Sequence, residues 1–406
     1  MKIIPLKIKN QKQAEGLMSG LGVSPEGIKI LSPKSVYSVF KIEGIKSWEA
    51  NIIKQHLLSL GADAAIERKA LIKDIKTSVF IFANVSQLKE LCRKLKIQPF
   101  NLKKISEGIL SCLDELQKEE FKFLIKGKTL KIKKPLVCGI INITDDSFSG
   151  DGALSRAKGL EPKIKDLILD KAGAMIRAGA KIIDLGGESS RPFSKPVNEK
   201  EEIKRIIPLL KALRKRHKNI LISVDTYKYN VAKEAAGAGA DIINDITALR
   251  HSPNITFLIK KYKLGCILMH MKGTPKTMQI NPEYKDVMEE EIDFFQERLN
   301  FCAQRGVVKE QLFIDPGIGF GKRVEDNLKI INQLYKLKIF GRPIFLGLSK
   351  KAFIGKILNR DIDRRLNGTI AANVVSFIRG ADILRVHDVP AAVEALKMAS
   401  AIDSCS

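Results

Sequence analysis

The chain has 406 residues, 45% of them hydrophobic and 28% charged, an ordinary globular composition with room for two domains. Lys and Arg outnumber Asp and Glu by 70 to 45, a net charge of +25, but the basic residues form no tail or arm and aromatics are only 6%. A solvated basic surface is therefore expected, with no nucleic-acid partner. No apolar run nears the roughly 18 to 20 residues that cross a bilayer, and the start MKIIPLKIKN has no secretory signal pattern. A soluble cytoplasmic protein with no membrane partner is the expectation. Cys92, Cys112, Cys138, Cys266, Cys302 and Cys405 show no metal-binding or redox spacing, which fits reduced, structural thiols.

In the first third, YSVFKIEGI (37–45) and SVFIFANV (78–85) read as strands from their β-branched and aromatic residues. SWEANIIKQHLLSLGA (47–62) reads as a helix that starts at a Ser N-cap and stops at Gly61. Residues 86–96 and 102–121 also have helical spacing. The mixture implies a small α+β domain built from a split βαβ unit, over residues 1–130. It presents no catalytic constellation, so a structural, regulatory or assembly role is expected. The Lys-rich stretch 121–135 reads as a hairpin or linker, and residues 131–406 form the second domain.

From residue 136 eight short apolar runs each end in polar residues. They are LVCGIIN ending at Asn142, KIIDLGGE at Glu188, LISVD at Asp225, IIND at Asn244 and Asp245, CILMH at His270, LFID at Asp315, IFLGLSK at Ser349 and Lys350, and ILRVH at His387. A helix-length stretch separates each run from the next. The stretch after the second run, NEKEEIKRIIPLLKALRKRH, is acidic early and basic late, as the helix dipole favours. This alternation predicts an α/β fold, a (β/α)8 TIM barrel preceded by the smaller α+β domain. In such barrels the C-terminal strand ends build the active site, so these polar residues should converge on one mouth.

The loop 142–152 is polar, glycine-bearing and carries Phe148, the pattern of a lid. Arg191, after the second strand, suits a diphosphate because its planar fork donates paired bonds, and a neighbouring Ser hydroxyl suits a carboxylate. Asp225, Asn244 and Asp315 carry the most information. A carboxylate that ends an apolar strand is costly to bury without partners, and three such groups imply a ligand rich in N–H donors, such as the guanidine-like edge of a pterin. Each of the three, taken alone, reads as well as a helix cap. After Asp315, the glycines of GIGFG let backbone approach a ligand and Phe320 offers an aromatic wall. Arg385 and His387 share one strand face and follow the eighth strand, where barrels commonly hold phosphate. His270 has no second ligand at metal spacing and reads as a structural histidine.

Seven motifs in order, GIINITDDSFSGDG, IDLGGESSRP, SVDTYKYNVAKEAAGAGADIINDI, LMHMKGTPKTMQ, IDPGIGFGK, GLSKKAFIG and RVHDV, resemble the dihydropteroate synthase family and span about residues 136–400. The resemblance implies condensation of 6-hydroxymethyl-7,8-dihydropterin diphosphate with 4-aminobenzoate in folate synthesis, with release of diphosphate. It implies that Asp225, Asn244 and Asp315 hold the pterin, Lys351 reaches its carbonyl side, and Met269 and Phe320 line the pocket. Asn142 would bind Mg²⁺ and, with Arg191, Arg385 and His387, the diphosphate. Ser190, Pro192 and Ser349 would receive 4-aminobenzoate. It also implies a homodimer.

Three positions depart from the family pattern: Asp145 stands where Pro is usual, Ser190 where Thr is usual, and Lys350 where Arg is usual. They bear on aminobenzoate affinity more than on reaction class. The alternatives are a pterin-binding methyltransferase that acts on methyltetrahydrofolate, and a non-catalytic pterin-binding protein.

Overall fold

The computed structural model describes residues 1–116, 118, 120–133, 135–143, 162–189 and 196–405. The expected lid with Asp145 and Phe148, and the residues Ser190, Arg191 and Pro192, lie outside the described residues. Contacts divide the chain into two compact units, Met1–Lys118 and Glu119–Cys405.

The first unit contains α1 (Gln11–Gly20), α2 (Pro25–Leu31), β1 (Tyr37–Lys46), α3 (Ser47–Ser59), β2 (Asp63–Ile66), β3 (Lys76–Asn84), α4 (Val85–Lys96) and α5 (Leu102–Leu116). β3 lies between β1 and β2 and is antiparallel to both. β1 and β2 are therefore parallel with a strand inserted between them, the split βαβ arrangement that the sequence implies. Val79, Ile81 and Ala83 of β3 pack with Ile53 and Leu57 of α3 and with Leu88, Leu91 and Leu95 of α4.

Ser47, expected as the N-cap of α3, is instead its first helical residue. The cap is Lys46, whose backbone N–H donates to Glu49 Oε2 at 2.8 Å. Sequence periodicity does not reveal α1 and α2 because they bury almost nothing, only Ala14 in α1 and no residue in α2. An apolar period therefore never develops. Their N-caps Asn10 and Ser24, which accept from Gln13 and Gly27 backbone N–H groups, were the available signal.

The second unit opens with the antiparallel hairpin β4 (Glu120–Ile125) and β5 (Lys128–Lys133). Eight parallel strands come next: β6 (Leu136–Asn142), β7 (Ile182–Gly186), β8 (Leu221–Asp225), β9 (Ile242–Asp245), β10 (Gly265–Met269), β11 (Leu312–Asp315), β12 (Phe345–Gly347) and β13 (Ile383–Val386). They pair in sequence order, with β13 returning to β6, and the bridge between Ile314 and Ile344 joins β11 to the chain entering β12. The helices are α6 (Pro162–Arg177), α7 (Glu199–Arg216), α8 (Tyr229–Ala238), α9 (Ile255–Tyr262), α10 (Val287–Gln304), α11 (Val324–Asn332), α12 (Ala352–Leu358), α13 (Leu366–Ile378) and α14 (Val389–Ser404). None of the described helices is long and apolar enough to cross a membrane.

Strand parity divides the barrel into two faces. Ile183, Leu185, Ile222, Val224, Ile243, Leu268, Ile314 and Leu346 belong to the cluster shared with the helices. Cys138, Ile182, Ile242, Ile267, Phe313, Phe345 and Ile383 form a separate inner layer together with Phe121, Phe123 and Ile125 of the hairpin. The Phe123 and Phe313 rings stack with centroids 4.4 Å apart. β4 and β5 thus plug the N-terminal end of the barrel, and the contact boundary falls at Lys118/Glu119, ahead of residue 130. With one end filled by apolar side chains, polar inner residues are confined to the other.

Candidate active site

The inner column of most strands turns polar towards the C-terminal end. Behind Ile182 come Asp184 and Gly186, behind Leu221 come Ser223 and Asp225, and behind Ile242 comes Asn244. Phe313 is followed by Asp315, Phe345 by Gly347, and Ile383 by Arg385 and His387. Strand register aligns these groups around the mouth. Asn142 is opposite Gly186, Gly186 opposite Asp225, and Asp225 opposite Asn244, while Met269 is opposite Asp315. Side chains far apart in sequence therefore meet because they share the inner face at one end of the barrel.

Arg385 is the hub. Its Nε donates to Asp184 Oδ2 at 2.7 Å and its Nη2 to Asp225 Oδ2 at 3.0 Å. Asn244 Nδ2 donates to the same Asp184 oxygen at 3.3 Å. Asp184 is fully buried. Burial pushes the Asp225 carboxyl up to about 7, against the attraction of Arg385 and with Asp184, Glu202 and Asp245 adding to the rise. The two carboxylates hold the Arg385 guanidinium firmly charged against the cost of its burial. Arg385 thus reaches inward, to the carboxylates of the cup.

On the opposite wall, Asp315 Oδ1 accepts from Gly317 N–H at 2.7 Å. Lys351 Nζ donates to the Ile318 carbonyl and stands 4.4 Å from the Phe320 ring centre. Burial raises the Asp315 carboxyl and lowers the Lys351 ammonium, and their mutual attraction opposes both shifts. Gly317 has φ +61°, and a Cβ there would lie 2.0 Å from the His270 carbonyl oxygen. Only glycine lets this turn pack against the end of β10. Met269 is buried beside this wall.

Ser349 Oγ lies 3.1 Å from His387 Nδ1 and accepts from the His387 backbone N–H at 3.3 Å. Burial first, then Arg385 and Lys350, hold the His387 imidazole down to about 4. His387 is therefore neutral at pH 7 and offers a hydrogen bond, not a charge. Lys350 pairs with Asp388 at 3.0 Å. His270 is 6% exposed, with Nδ1 at 2.8 Å from Lys322 Nζ and 2.9 Å from Glu291, which matches its structural reading. Among the described residues no group of three His, Cys, Asp or Glu side chains could hold a metal ion.

A family model described as pterin binding enzyme matches residues 138–387. The dihydropteroate synthase of Escherichia coli (strain K12) is 42% identical over 280 residues, which are 69% of this chain and 96% of that protein. The structure of the Xanthomonas albilineans dihydropteroate synthase with 4-aminobenzoic acid has a TM-score of 0.64 at 35% identity, covering 71% of this chain and 100% of that one. The chain belongs to the dihydropteroate synthase family of pterin-binding enzymes. A probable bifunctional folylpolyglutamate synthase/dihydropteroate synthase of Halobacterium salinarum is 32% identical over 379 residues, 93% of this chain and 44% of that protein. A match of that length exceeds the Glu119–Cys405 unit, so likeness to this dihydropteroate synthase relative runs well into the first unit.

Within this member of the dihydropteroate synthase family, the barrel brings together Asn142, Asp225, Asn244, Met269, Asp315, Phe320, Ser349, Lys351, Arg385 and His387 at the C-terminal strand ends. Asp184 joins them without having been expected. Its signal was present: an acidic residue inside an otherwise apolar strand, two positions before Gly186 and so on the same face. A rule that looks only at strand ends passes over it.

Proposed function

We propose that the barrel joins 6-hydroxymethyl-7,8-dihydropterin diphosphate to 4-aminobenzoate and releases diphosphate, the dihydropteroate-forming step of folate synthesis. The observation that carries this reading is the cup itself, with Asp225, Asn244 and Asp315 on the inner face at the C-terminal strand ends and Arg385 and Lys351 beside them. A carboxylate accepts two parallel N–H bonds, and an amide both gives and takes, which suits the guanidine-like edge of a pterin. In this reading Lys351 donates to the pterin carbonyl side, and Met269 and Phe320 supply apolar walls.

The chemistry needs little acid–base help. The methylene C–O bond to diphosphate breaks, the pterin ring shares the resulting positive charge, and the neutral arylamine forms the new C–N bond and then loses a proton. The protein contributes positioning and electrostatic stabilisation of the leaving anion. In this reading Arg191, Arg385 and His387 receive the diphosphate, and Ser190, Pro192 and Ser349 the aminobenzoate. Asn142 offers Mg²⁺ one neutral oxygen, which fits an ion that arrives with the diphosphate and keeps most of its water. Bound there, Mg²⁺ would neutralise charge on the leaving group.

We assign the protein to the cytoplasm as a homodimer. Exposed Val375 and Ile378 on α13 and Met398 and Ile402 on the neighbouring α14 support a dimer through barrel helices. The assigned reaction predicts that diphosphate release is matched by incorporation of 4-aminobenzoate into a pterin conjugate. Diphosphate release with no such conjugate formed when 4-aminobenzoate is present, or no release with both substrates, would refute the assignment.

Two further results are expected. Asp225 must be ionised to accept paired N–H bonds, so kcat/KM for the pterin substrate should fall as pH drops below about 7. The raised carboxyl also means that the folded state holds this proton more tightly than the unfolded chain. Its contribution to stability therefore declines as pH rises from 3.8 to about 7. A flat kcat/KM profile between pH 5.5 and 8 (roughly the range bracketing that midpoint) would count against Asp225 as the acceptor. Separately, a Cβ at Gly186 would lie 3.4 Å from Asn142 Oδ1 and 3.7 Å from Asp225 Cβ. Gly186→Ala should fold normally but narrow the cup, raising KM for the pterin substrate by roughly threefold to tenfold, about 1 kcal/mol. Unchanged KM in steady-state assays would show that ligand does not occupy this space.

A further inference from the structure

The chain turns sharply between β12 and α12, where the Lys351 N–H donates to the Leu348 carbonyl at 3.2 Å. Ser349 and Lys350 are the central residues of this turn, and Lys350 has φ +59°. Glycine is the usual residue at a positive φ, because a Cβ there crowds the following carbonyl oxygen. A lysine keeps this conformation only where its surroundings over-determine it.

Here the surroundings are two residues at the start of α13. Thr369 is 3% exposed, and its Oγ1 accepts the Lys350 N–H at 3.1 Å. Arg365 Nη1 donates to the Lys350 carbonyl at 3.0 Å, while its Nε donates to the Arg360 carbonyl at 3.1 Å. The two backbone groups so held lie on either side of the Lys350 Cα, and their directions together fix both torsions of that residue. The first turn of α13 joins the two holders, since the Thr369 N–H donates to the Arg365 carbonyl at 2.9 Å. α12 leaves the guanidinium a slot: a Cβ at Gly355 would run into it.

The torsions of Lys350 set how its two neighbours stand to each other. Ser349 Oγ meets His387, and Lys351 Nζ donates to the Ile318 carbonyl on the Asp315 wall. We propose that Arg365 is a positioning residue which, through the Lys350 carbonyl, aligns the 4-aminobenzoate and pterin subsites with one another. This rests on the reading above, in which Ser349 receives 4-aminobenzoate and Lys351 the pterin. Arg365 acts through the backbone of Lys350, not on either substrate.

The test uses the full-length protein with two backgrounds at position 350. Glycine adopts a positive φ unaided, whereas alanine keeps the Cβ. Both remove the ion pair between Lys350 and Asp388, so the comparison isolates the backbone. Misplacing reacting groups by about 1 Å costs up to about 100-fold, so Arg365→Met should lower kcat roughly tenfold or more in wild type and in Lys350→Ala. In Lys350→Gly the same change should cost less than about threefold, because no Cβ has to be held. Equal penalties in the glycine and alanine backgrounds overturn the proposal, as does a loss below about threefold in wild type. Gly355→Ala displaces the guanidinium while keeping the arginine in the chain. It should give the same pattern, and it keeps the test open if Arg365→Met does not fold.

The same cycle read by thermal unfolding is independent of turnover. Arg365→Met should lower Tm less with glycine at position 350 than with alanine, and equal losses overturn the clamp whatever the protein catalyses. Wild-type protein that forms no pterin conjugate of 4-aminobenzoate would remove the assigned reaction, while the unfolding cycle would still decide the clamp.

Discussion

Asp315→Asn is expected to lower kcat/KM for the pterin substrate by roughly 100-fold or more while leaving the fold intact. Asp315 is 5% exposed and already accepts Gly317 N–H through Oδ1. Asn keeps that acceptor and the side-chain shape, so the turn survives. What it loses is a negative charge facing N–H donors in a buried cup, where hydrogen bonds to charged groups contribute about 1.5–3 kcal/mol each. Two such bonds to a pterin edge are together about 3 kcal/mol or more, and each 1.36 kcal/mol is about tenfold in rate. The amide also presents an N–H₂ donor to another donor, which adds repulsion. Steady-state kinetics with thermal unfolding on the same sample would decide it. A loss below about tenfold at unchanged Tm would show that Asp315 does not hold the substrate.

The second large effect is on stability. Arg385→Met removes the cation that bridges Asp184 and Asp225 and leaves two carboxylates in the barrel interior. Breaking a buried ion pair from one side typically costs about 3–5 kcal/mol, because the remaining charge has nowhere to go. In a domain of this size that corresponds to a fall in Tm on the order of 10 °C. The loss should be smaller at acid pH, where Asp225, already raised to about 7, takes up a proton. Asp184→Asn in the Arg385→Met background should restore part of the stability, since the uncompensated charge is then halved. Thermal melts of Arg385→Met, Asp184→Asn and the double variant at two pH values would measure this coupling. Simple additivity would show that the Arg385–Asp184 contact is energetically idle.

Much of the site was legible as linear text because period-two strands advertise themselves. A polar residue that closes an apolar run must either cap the next helix or face a ligand, and eight such runs in series left only one architecture in which the polar ends meet. Asp225, Asn244 and Asp315 emerged from that rule. Asp184 did not, since it lies inside its run. Lys228 did not either, because a lysine after a strand end reads as ordinary surface until its three oxygen partners, on Glu188, Val197 and Glu202, are seen. The stretch 121–135 reads as a hairpin or linker, but its position under the barrel floor is not visible in the sequence. Phe121 and Phe123 gain their meaning from Phe313, nearly 200 residues later.

Local pattern therefore dictated the barrel, the strand parity and which end of each strand carries chemistry, since these depend on neighbours one to four positions away. Protonation and partnership were settled elsewhere. Arg385 facing Asp184 and Asp225, His387 held neutral, and the Lys228 ammonium set between Glu188 and Glu202 all arise when charges meet across the fold, out of water. Burial and Coulomb attraction act through space, and no spacing along the chain encodes them.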